Sequence, residues 1–543
     1  MKGKKYGSAL LFAAILMIQA LVLVYLGAQR QGLHIDEYYS YILSNSYDTD
    51  RISNSTEVWD QWLDGDVFYD FLTVEEGEQF AYQTVYDNNA KDAHPPLFYF
   101  VLHTICSFLP GVWSLWIGTI MNILLILLTQ LVLYKLSRKL MGNTLWAVVP
   151  VAIYGGMQIF ADTTLYIRMY PLMTFLTILL VLQHYHLITK ERKLLPVILC
   201  GVFTFLGTFT QYYFAFVAFF LAAAYCVFLF LKKKWKLLAA YASAMLLGVI
   251  AVFVIFPAGI TQITGSETNN VGSEVAGNLL NFSGLFRAIL SMGKQMLIGI
   301  FGGIRGCILI TAIILMITAV ALIILRNKQK EIEHKGEASK QLLRLALVLT
   351  GIIGFTVLFI THISGKFTYV RYLYNLFPLI ALLCGMVLYL LAEQMKLNKQ
   401  VLAWGVIAIS LISSITIAKN QICSYMFTER TREDNAIIEQ CMDKPLVVLN
   451  NGTTHQPTAL LSILYSSNQV YMANYNNIES MDGILEQVDC SNGIVFLVLT
   501  DTYWSDGFDG DITMTQIIED SKILTEYEEF GSTEFTTAYI ASP

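Results

Sequence analysis

At 543 residues the chain is long enough for three or four soluble domains, but 55% of its residues are hydrophobic, 14% are charged and its mean hydropathy is +0.55, where a soluble domain carries about 25% charge to wet its surface. Many apolar runs reach the roughly 20 residues that cross a bilayer, so the composition reads as a polytopic α-helical membrane protein. The net charge of −6 is segregated, with residues 29–94 and 419–543 holding 33 of the 41 acids and 8 of the 35 bases, and no basic domain offers itself to nucleic acid.

The first apolar run, Ser8 to Ala28, follows three lysines. Its 21 residues are long for the core of a cleaved signal peptide and read as an uncleaved span. Residues 29–94 then form an acidic external loop. Pro95–Leu109 has only 15 residues and is read as a helix lying in, or dipping into, the outer leaflet, because a full crossing would invert every later basic loop. Further spans are predicted near 113–135, 144–161, 165–188, 194–210, 212–231, 237–257, 297–325, 341–362, 372–393 and 401–418, eleven with the first. The bases cluster in the short loops around Lys135–Lys139, Lys190–Lys193, Lys232–Lys236, Arg326–Arg344 and Lys396–Lys399. The positive-inside rule makes these loops and the N-terminus cytoplasmic and the C-terminus external. Residues 257–296 form a second external loop. No repeat of fixed period is visible.

From about Asn420 the pattern changes. A polar helical stretch over Thr428–Met442 precedes strand candidates at Pro445–Asn450, Val470–Ala473, Gly493–Thr500 and Glu534–Ala541, alternating with helical patterns near 456–465, 478–487 and 513–522. That alternation predicts a small extracytoplasmic α/β domain over 419–543, separate from a transmembrane domain over 1–418. Of the eight cysteines, Cys106, Cys200, Cys226, Cys307 and Cys384 lie in apolar runs. Cys423, Cys441 and Cys490 in the outer segment allow at most one disulfide there.

Three groups of residues carry chemistry. The first is His34-Ile35-Asp36-Glu37-Tyr38-Tyr39, just past the first span. Paired carboxylates at an outer membrane surface can accept the proton of an attacking hydroxyl or hold a divalent cation through oxygen ligands. Asp36 equally suits the cap of a helix beginning at Glu37. The second is Asp92-Ala93-His94-Pro95-Pro96, where the prolines suit a helix start and place His94 at its mouth. The third is a set of cations at outer span ends: Arg168, Arg305, Lys366 and Arg371. One arginine can snorkel to the interface; several on one side make a rim for a lipid phosphate, which arginine grips through two oxygens. Gln211-Tyr212-Tyr213-Phe214 stands at another outer boundary and reads equally as an interfacial aromatic belt.

An acidic pair after the first span, a long outer loop and then His94-Pro95-Pro96-Leu97-Phe98-Tyr99 resemble the membrane-embedded GT-C glycosyltransferases. The nearest group is the bacterial family 39, related to protein O-mannosyltransferases. Arg168-Met169-Tyr170, Gln211-Tyr212-Tyr213-Phe214 and Arg371-Tyr372 with Pro378 following recur in the family's order, over roughly residues 1–395. Family members often carry a glutamate just before the Arg-Met-Tyr, where this chain has Leu165-Tyr166-Ile167 with Asp162 upstream, and a histidine where Gln211 stands.

The resemblance implies transfer of a hexose or pentose from a polyprenyl-phosphate donor to a glycan, lipid or protein acceptor at the outer face of the cytoplasmic membrane. Asp36, with Glu37, is then the catalytic candidate. Arg371, Arg305, Lys366 and Arg168 are candidates for the donor phosphate, and His94, Tyr212 and His34 for other substrate contacts. One carboxylate and a direct displacement favour inversion at the anomeric carbon. A divalent metal on Asp36 and Glu37 is left open, and no other cofactor is expected. The rivals are a flippase for lipid-linked sugars, which should place its ionisable groups at the bilayer midplane, and an outer-face glycan polymerase or ligase.

Overall fold

The computed structural model describes residues 2–47, 49–264, 277–278, 281–302, 337–365, 368–450, 456–474, 481–500, 508–533 and 535–543. The chain forms two compact units. One comprises Met1–Gln29, Asp92–Phe98 and Thr119–Ser424; the other comprises Arg30–Lys91, Tyr99–Gly118 and Tyr425–Pro543.

The first unit is helical. Among the described residues, eight helices are long and apolar enough to cross a membrane: Ala9–Gln29, Leu115–Met141, Tyr170–Thr189, Phe214–Leu231, Trp235–Ile255, Glu337–Ser364, Val370–Gln394 and Lys399–Lys419. Local chemistry sets several of their ends. Asn398 caps Lys399–Lys419 through the N–H groups of Gln400 and Val401, and Pro171 and Pro378 occupy the first turns of Tyr170–Thr189 and Phe377–Gln394, where their missing N–H costs nothing.

The expected 144–161 span is a broken one: Thr144–Gly155 and Gln158–Leu165 meet at 66°. Gly156 at the break lies so close to the last long helix that an added Cβ would come within 2.7 Å of the Ser410 carbonyl, and Ser413 donates to the Gly156 carbonyl at 2.7 Å. Buried amides inside this unit pair with one another across helices, as an apolar medium favours. Gln19 and Gln130 both donate to the Val151 carbonyl, at 3.0 and 3.1 Å, and Gln130 also donates to Gln19 at 3.0 Å. The expected 194–210 span is Leu194–Thr208, 15 residues, or about 22 Å of helix. Of the expected 297–325 span, 297–301 belong to the Leu285–Phe301 helix, and 303–325 lie outside the described residues.

The short apolar helix after His94 is Leu97–Cys106, 10 residues, or about 15 Å, half the hydrocarbon thickness. The outer-leaflet reading of 95–109 has a direct test. In a variant freed of its native cysteines, single cysteines at 110–112 are expected to react with an impermeant thiol reagent applied outside, and those at 140–143 only after permeabilisation. Labelling at 140–143 from outside would overturn the eleven-span topology.

The second unit is built on a six-stranded sheet in the order β1-β3-β2-β4-β6-β5. Its strands are β1 (Trp62–Leu63), β2 (Leu446–Asn450), β3 (Val470–Asn474), β4 (Ile494–Leu499), β5 (Glu526–Ser532) and β6 (Thr536–Ser542). β2 runs parallel to both β3 and β4, and β6 antiparallel to β4. β2 and β4 are buried along their whole length, which is why they read as unbroken apolar runs. β5 was not predicted: its sequence, Glu-Tyr-Glu-Glu-Phe-Gly-Ser, belongs to a largely exposed edge strand, where charge blocks further pairing.

β1 comes from the loop after the first span, with Trp62 opposite Tyr471 and Leu63 opposite Val470, and the Trp62 indole donates to the Ile484 carbonyl at 3.1 Å. The sequence reading placed 29–94 with the transmembrane domain, whereas Arg30–Lys91 clusters with the C-terminal segment. A strand shared between the two segments puts both on one side of any membrane that the intervening helices cross. Cys423, Cys441 and Cys490 are free thiols, the last two buried.

Candidate functional site

The residues with chemical potential form two clusters, one in each unit. In the sheet-bearing unit, the Ile35–Asn45 helix follows directly on the first span. Its cap is His34, not Asp36. The His34 ring accepts the Asp36 N–H at 3.1 Å, while the Glu37 carboxylate accepts the His34 N–H at 2.7 Å, a reciprocal capping box. Since His34 Nδ1 is the acceptor, the neutral ring carries its proton on Nε2.

The oxygen of Glu37 that takes the His34 N–H is also ion-paired to Arg30, and both side chains are fully buried. Arg30 further donates to the Gly32 carbonyl at 2.9 Å. The adjacent carboxylates are thus in opposite situations. Glu37 is fully buried against Arg30, whereas the Asp36 side chain is 26% exposed, with Oδ2 3.7 Å from His34 Nδ1. A divalent cation at this pair would have to draw Glu37 away from Arg30. Among the described residues, no three His, Cys, Asp or Glu side chains gather as a metal-binding set.

In the helical unit, the second cluster is organised by the elbow between Gln158–Leu165 and Tyr170–Thr189. The Asn122 amide donates to the Thr164 and Tyr166 carbonyls at 3.1 and 2.9 Å, and the Arg168 N–H closes a tight turn on Tyr166 at 2.8 Å. This fixes two side chains, two residues apart. Arg168 is buried and bonds through Nη2 to His94 Nε2 at 3.4 Å, while His94 Nδ1 meets Asp92 at 2.9 Å. A guanidinium only donates, so Nε2 accepts and Nδ1–H donates, giving the chain Asp92–His94–Arg168. The prolines after His94 start their helix against the end of Leu194–Thr208, where the Leu97 N–H donates to the Phe209 carbonyl at 3.2 Å.

Tyr166 receives Arg371, whose Nη1 donates to the phenol oxygen at 2.8 Å. The Arg371 guanidinium also lies over the rings of Tyr369, Tyr372 and Tyr166 at 4.7, 5.8 and 5.9 Å, within cation–π range. Tyr372 stacks on Tyr213 at 4.6 Å and Tyr166 on Tyr170 at 5.8 Å. Gln295 holds the approach to Arg371 by donating to the Thr368 carbonyl at 2.8 Å and accepting the Val370 N–H at 3.0 Å. The structure thus brings Arg168, His94 and Arg371 to one elbow.

Tyr212 donates to Gln262 at 2.7 Å. Burial, with the negative charge of Asp92 adding, pushes its phenol above the ordinary range, so it remains a neutral hydroxyl. Asp162, upstream of the Arg-Met-Tyr, accepts the Ser424 N–H at 2.7 Å, the Ser424 hydroxyl at 3.0 Å and the Gln158 amide at 3.2 Å. It anchors the exit of the last span. Arg305 and Lys366 lie outside the described residues.

Sequence reasoning passed over Arg30, Tyr166, Asn122 and the role of Asp92. Arg30 had a legible signal, a lone cation at the end of an apolar run seven residues before an acid. Tyr166 and Asn122 had none, since their partners are distant in sequence.

No family matches this sequence, and no curated protein matches it. In structure it is similar to ArnT from Cupriavidus metallidurans bound to undecaprenyl phosphate, with a TM-score of 0.52 at 12% identity over 98% of each chain. The apo state of that protein gives 0.50 at 12% identity over 99% of this chain and 98% of that one. The oligosaccharyltransferase of Archaeoglobus fulgidus gives 0.47 at 10% identity over 97% of this chain and 74% of that one. The likeness to ArnT is one of fold, a GT-C membrane architecture.

Proposed function

We propose that the chain transfers a sugar from a polyprenyl-phosphate-linked donor to a glycan, lipid or protein acceptor at the outer face of the cytoplasmic membrane. The observation that carries this reading is the gathering of two guanidiniums, Arg371 and Arg168, at the Tyr166–Tyr170 elbow of a GT-C fold. Cations at the margin of apolar helices suit a lipid phosphate, and the matching fold of ArnT has been solved with undecaprenyl phosphate. The order of motifs keeps the bacterial family 39 as the nearest group.

In this reaction the acceptor hydroxyl attacks the anomeric carbon, the bond from that carbon to the donor's phosphate oxygen breaks, and the lipid phosphate leaves. Asp36 takes the hydroxyl proton. The leaving phosphate is a weak base and needs charge stabilisation more than a proton, which Arg371 and Arg168 supply. His94, with Asp92 behind it, holds Arg168 in orientation. Tyr212, already donating to Gln262, has lone pairs left for a sugar hydroxyl, and His34 presents a partly exposed ring beside Asp36. A single displacement inverts the anomeric configuration.

The test is incubation of the purified protein with undecaprenyl-phosphate hexoses and pentoses tritiated in the sugar, together with cell-envelope acceptors. Label leaving the lipid for an acceptor supports the reading. Label crossing a proteoliposome membrane on intact lipid would replace it with a flippase. Within the same assay, Arg371→Ala is expected to raise the donor concentration for half-maximal rate about 10- to 150-fold, the equivalent of a charge-assisted contact of about 1.5–3 kcal/mol. Unchanged donor dependence would leave Arg371 as an interfacial cation resting on its tyrosines.

A further inference from the structure

We infer that the first turn of the C-terminal segment, Met426 to Thr431, is the wall against which the Asp36 helix is set, so that Phe427 is a positioning residue for the base. The inference rests on the reading of Asp36 as that base. Its evidence is packing within the sheet-bearing unit alone.

The five residues from the end of the first span to the helix cap, Arg30 to His34, are held from both sides. On one side stands the buried ion pair of Arg30 with Glu37. On the other, the Gln31 N–H donates to the Met426 carbonyl at 3.2 Å. The Arg30 guanidinium lies 5.8 Å from the centre of the Phe427 ring, and the His34 ring is 6.2 Å from the same ring. One aromatic side chain therefore touches both the cation that fixes Glu37 and the imidazole that accepts the Asp36 N–H.

Phe427 adopts φ +52°, ψ +31°, the left-handed region that side chains other than glycine rarely occupy. It is the cap of the Thr428–Cys441 helix, and Thr431 bonds back to its carbonyl through both N–H and hydroxyl, at 3.0 and 2.8 Å. That turn meets the launch segment at Gly32. A Cβ there would come within 2.6 Å of the Thr431 hydroxyl oxygen and 3.3 Å of the Phe427 Cβ. Gly32 does not have positive φ, so its lack of a side chain answers to this approach and not to its backbone. A helix needs none of this to start, since His34 and Glu37 already cap it. What the wall adds is a fixed direction for the helix's first turn, where Asp36 lies. A base must be within hydrogen-bond reach of the proton it removes, and displacements of about 1 Å cost of the order of 10²-fold in rate.

The test uses the full-length protein in detergent and whichever tritiated undecaprenyl-phosphate sugar the wild type turns over. Gly32→Ala is expected to lower kcat at least tenfold with the donor KM within twofold, because the collision moves Asp36 and leaves the donor-phosphate residues untouched. Thr431→Ala alone should be near wild type, and the double variant Gly32→Ala/Thr431→Ala should recover most of the lost kcat, because the colliding oxygen is gone. Wild-type kcat in Gly32→Ala overturns the inference. So does a donor KM that rises in step with the fall in kcat, or a double variant no better than the single one. If Gly32→Ala does not accumulate as folded protein, Phe427→Ala against Phe427→Tyr reads the same wall. Loss of kcat in the alanine variant and its return in the tyrosine variant support it, and equal behaviour of the two overturns it. Failure of the base reading shows separately, as wild-type turnover in Asp36→Asn.

Discussion

Asp36→Asn is expected to lower the rate of sugar transfer by about 10²–10⁴-fold, the usual contribution of a positioned general base, with donor capture and folding close to wild type. The exchange keeps the shape and removes the negative charge that accepts the acceptor's proton. Folding should tolerate it because the helix cap rests on His34 and Glu37, and the Asp36 side chain is 26% exposed. The measurement is single-turnover transfer from tritiated undecaprenyl-phosphate sugar by the purified variant, with retention of the lipid checked separately. Near-normal turnover in a folded variant removes Asp36 from the chemistry. A comparable loss in lipid retention would point instead to a collapse of the donor site.

The neighbouring residue should behave in the opposite way. Glu37→Gln is expected to destabilise the sheet-bearing unit by about 3–5 kcal/mol, because it removes the carboxylate charge ion-paired to the fully buried Arg30. The amide oxygen can still accept the His34 N–H, so the loss belongs to the ion pair and not to the cap. Replacing both partners by apolar side chains, Arg30→Met with Glu37→Met, should recover much of the deficit, since a buried pair is often worth little more than a well-packed apolar substitute. Unfolding of the detergent-solubilised protein in rising denaturant, followed by tryptophan fluorescence, reads the difference. A Glu37→Gln protein as stable as the wild type, beside an unstable Asp36→Asn, would exchange the roles of the two carboxylates.

These opposed expectations mark where sequence reading stops. Asp36 and Glu37 are adjacent and chemically alike, and their residue types do not say which one is buried against the cation. The decision comes from Arg30 and from the reciprocal cap with His34. Only the cap is a short-range pattern, and a histidine cap lies outside the usual residue preference. Similarly, Arg168 and Arg371 were legible as isolated cations at span ends. Their gathering at one elbow depends on Tyr166, Asn122 and His94, which lie 205, 44 and 74 residues from the groups they bond.

What the sequence determined by itself follows from short-range physics. Apolar runs of bilayer length, caps at Asn398 and prolines in first turns fix where most helices lie, because each helix satisfies its own backbone within four residues. The fully buried strands β2 and β4 declared themselves as unbroken apolar runs. What only the tertiary structure decided is long-range partnership. A span broken at Gly156 against Ser410, an acidic edge strand, and a loop strand at Trp62–Leu63 completing a sheet made more than 380 residues later leave no local trace. Their stabilisation comes from surfaces and hydrogen-bond groups that another part of the chain supplies, and hydropathy records the residue itself, not the partner it will meet.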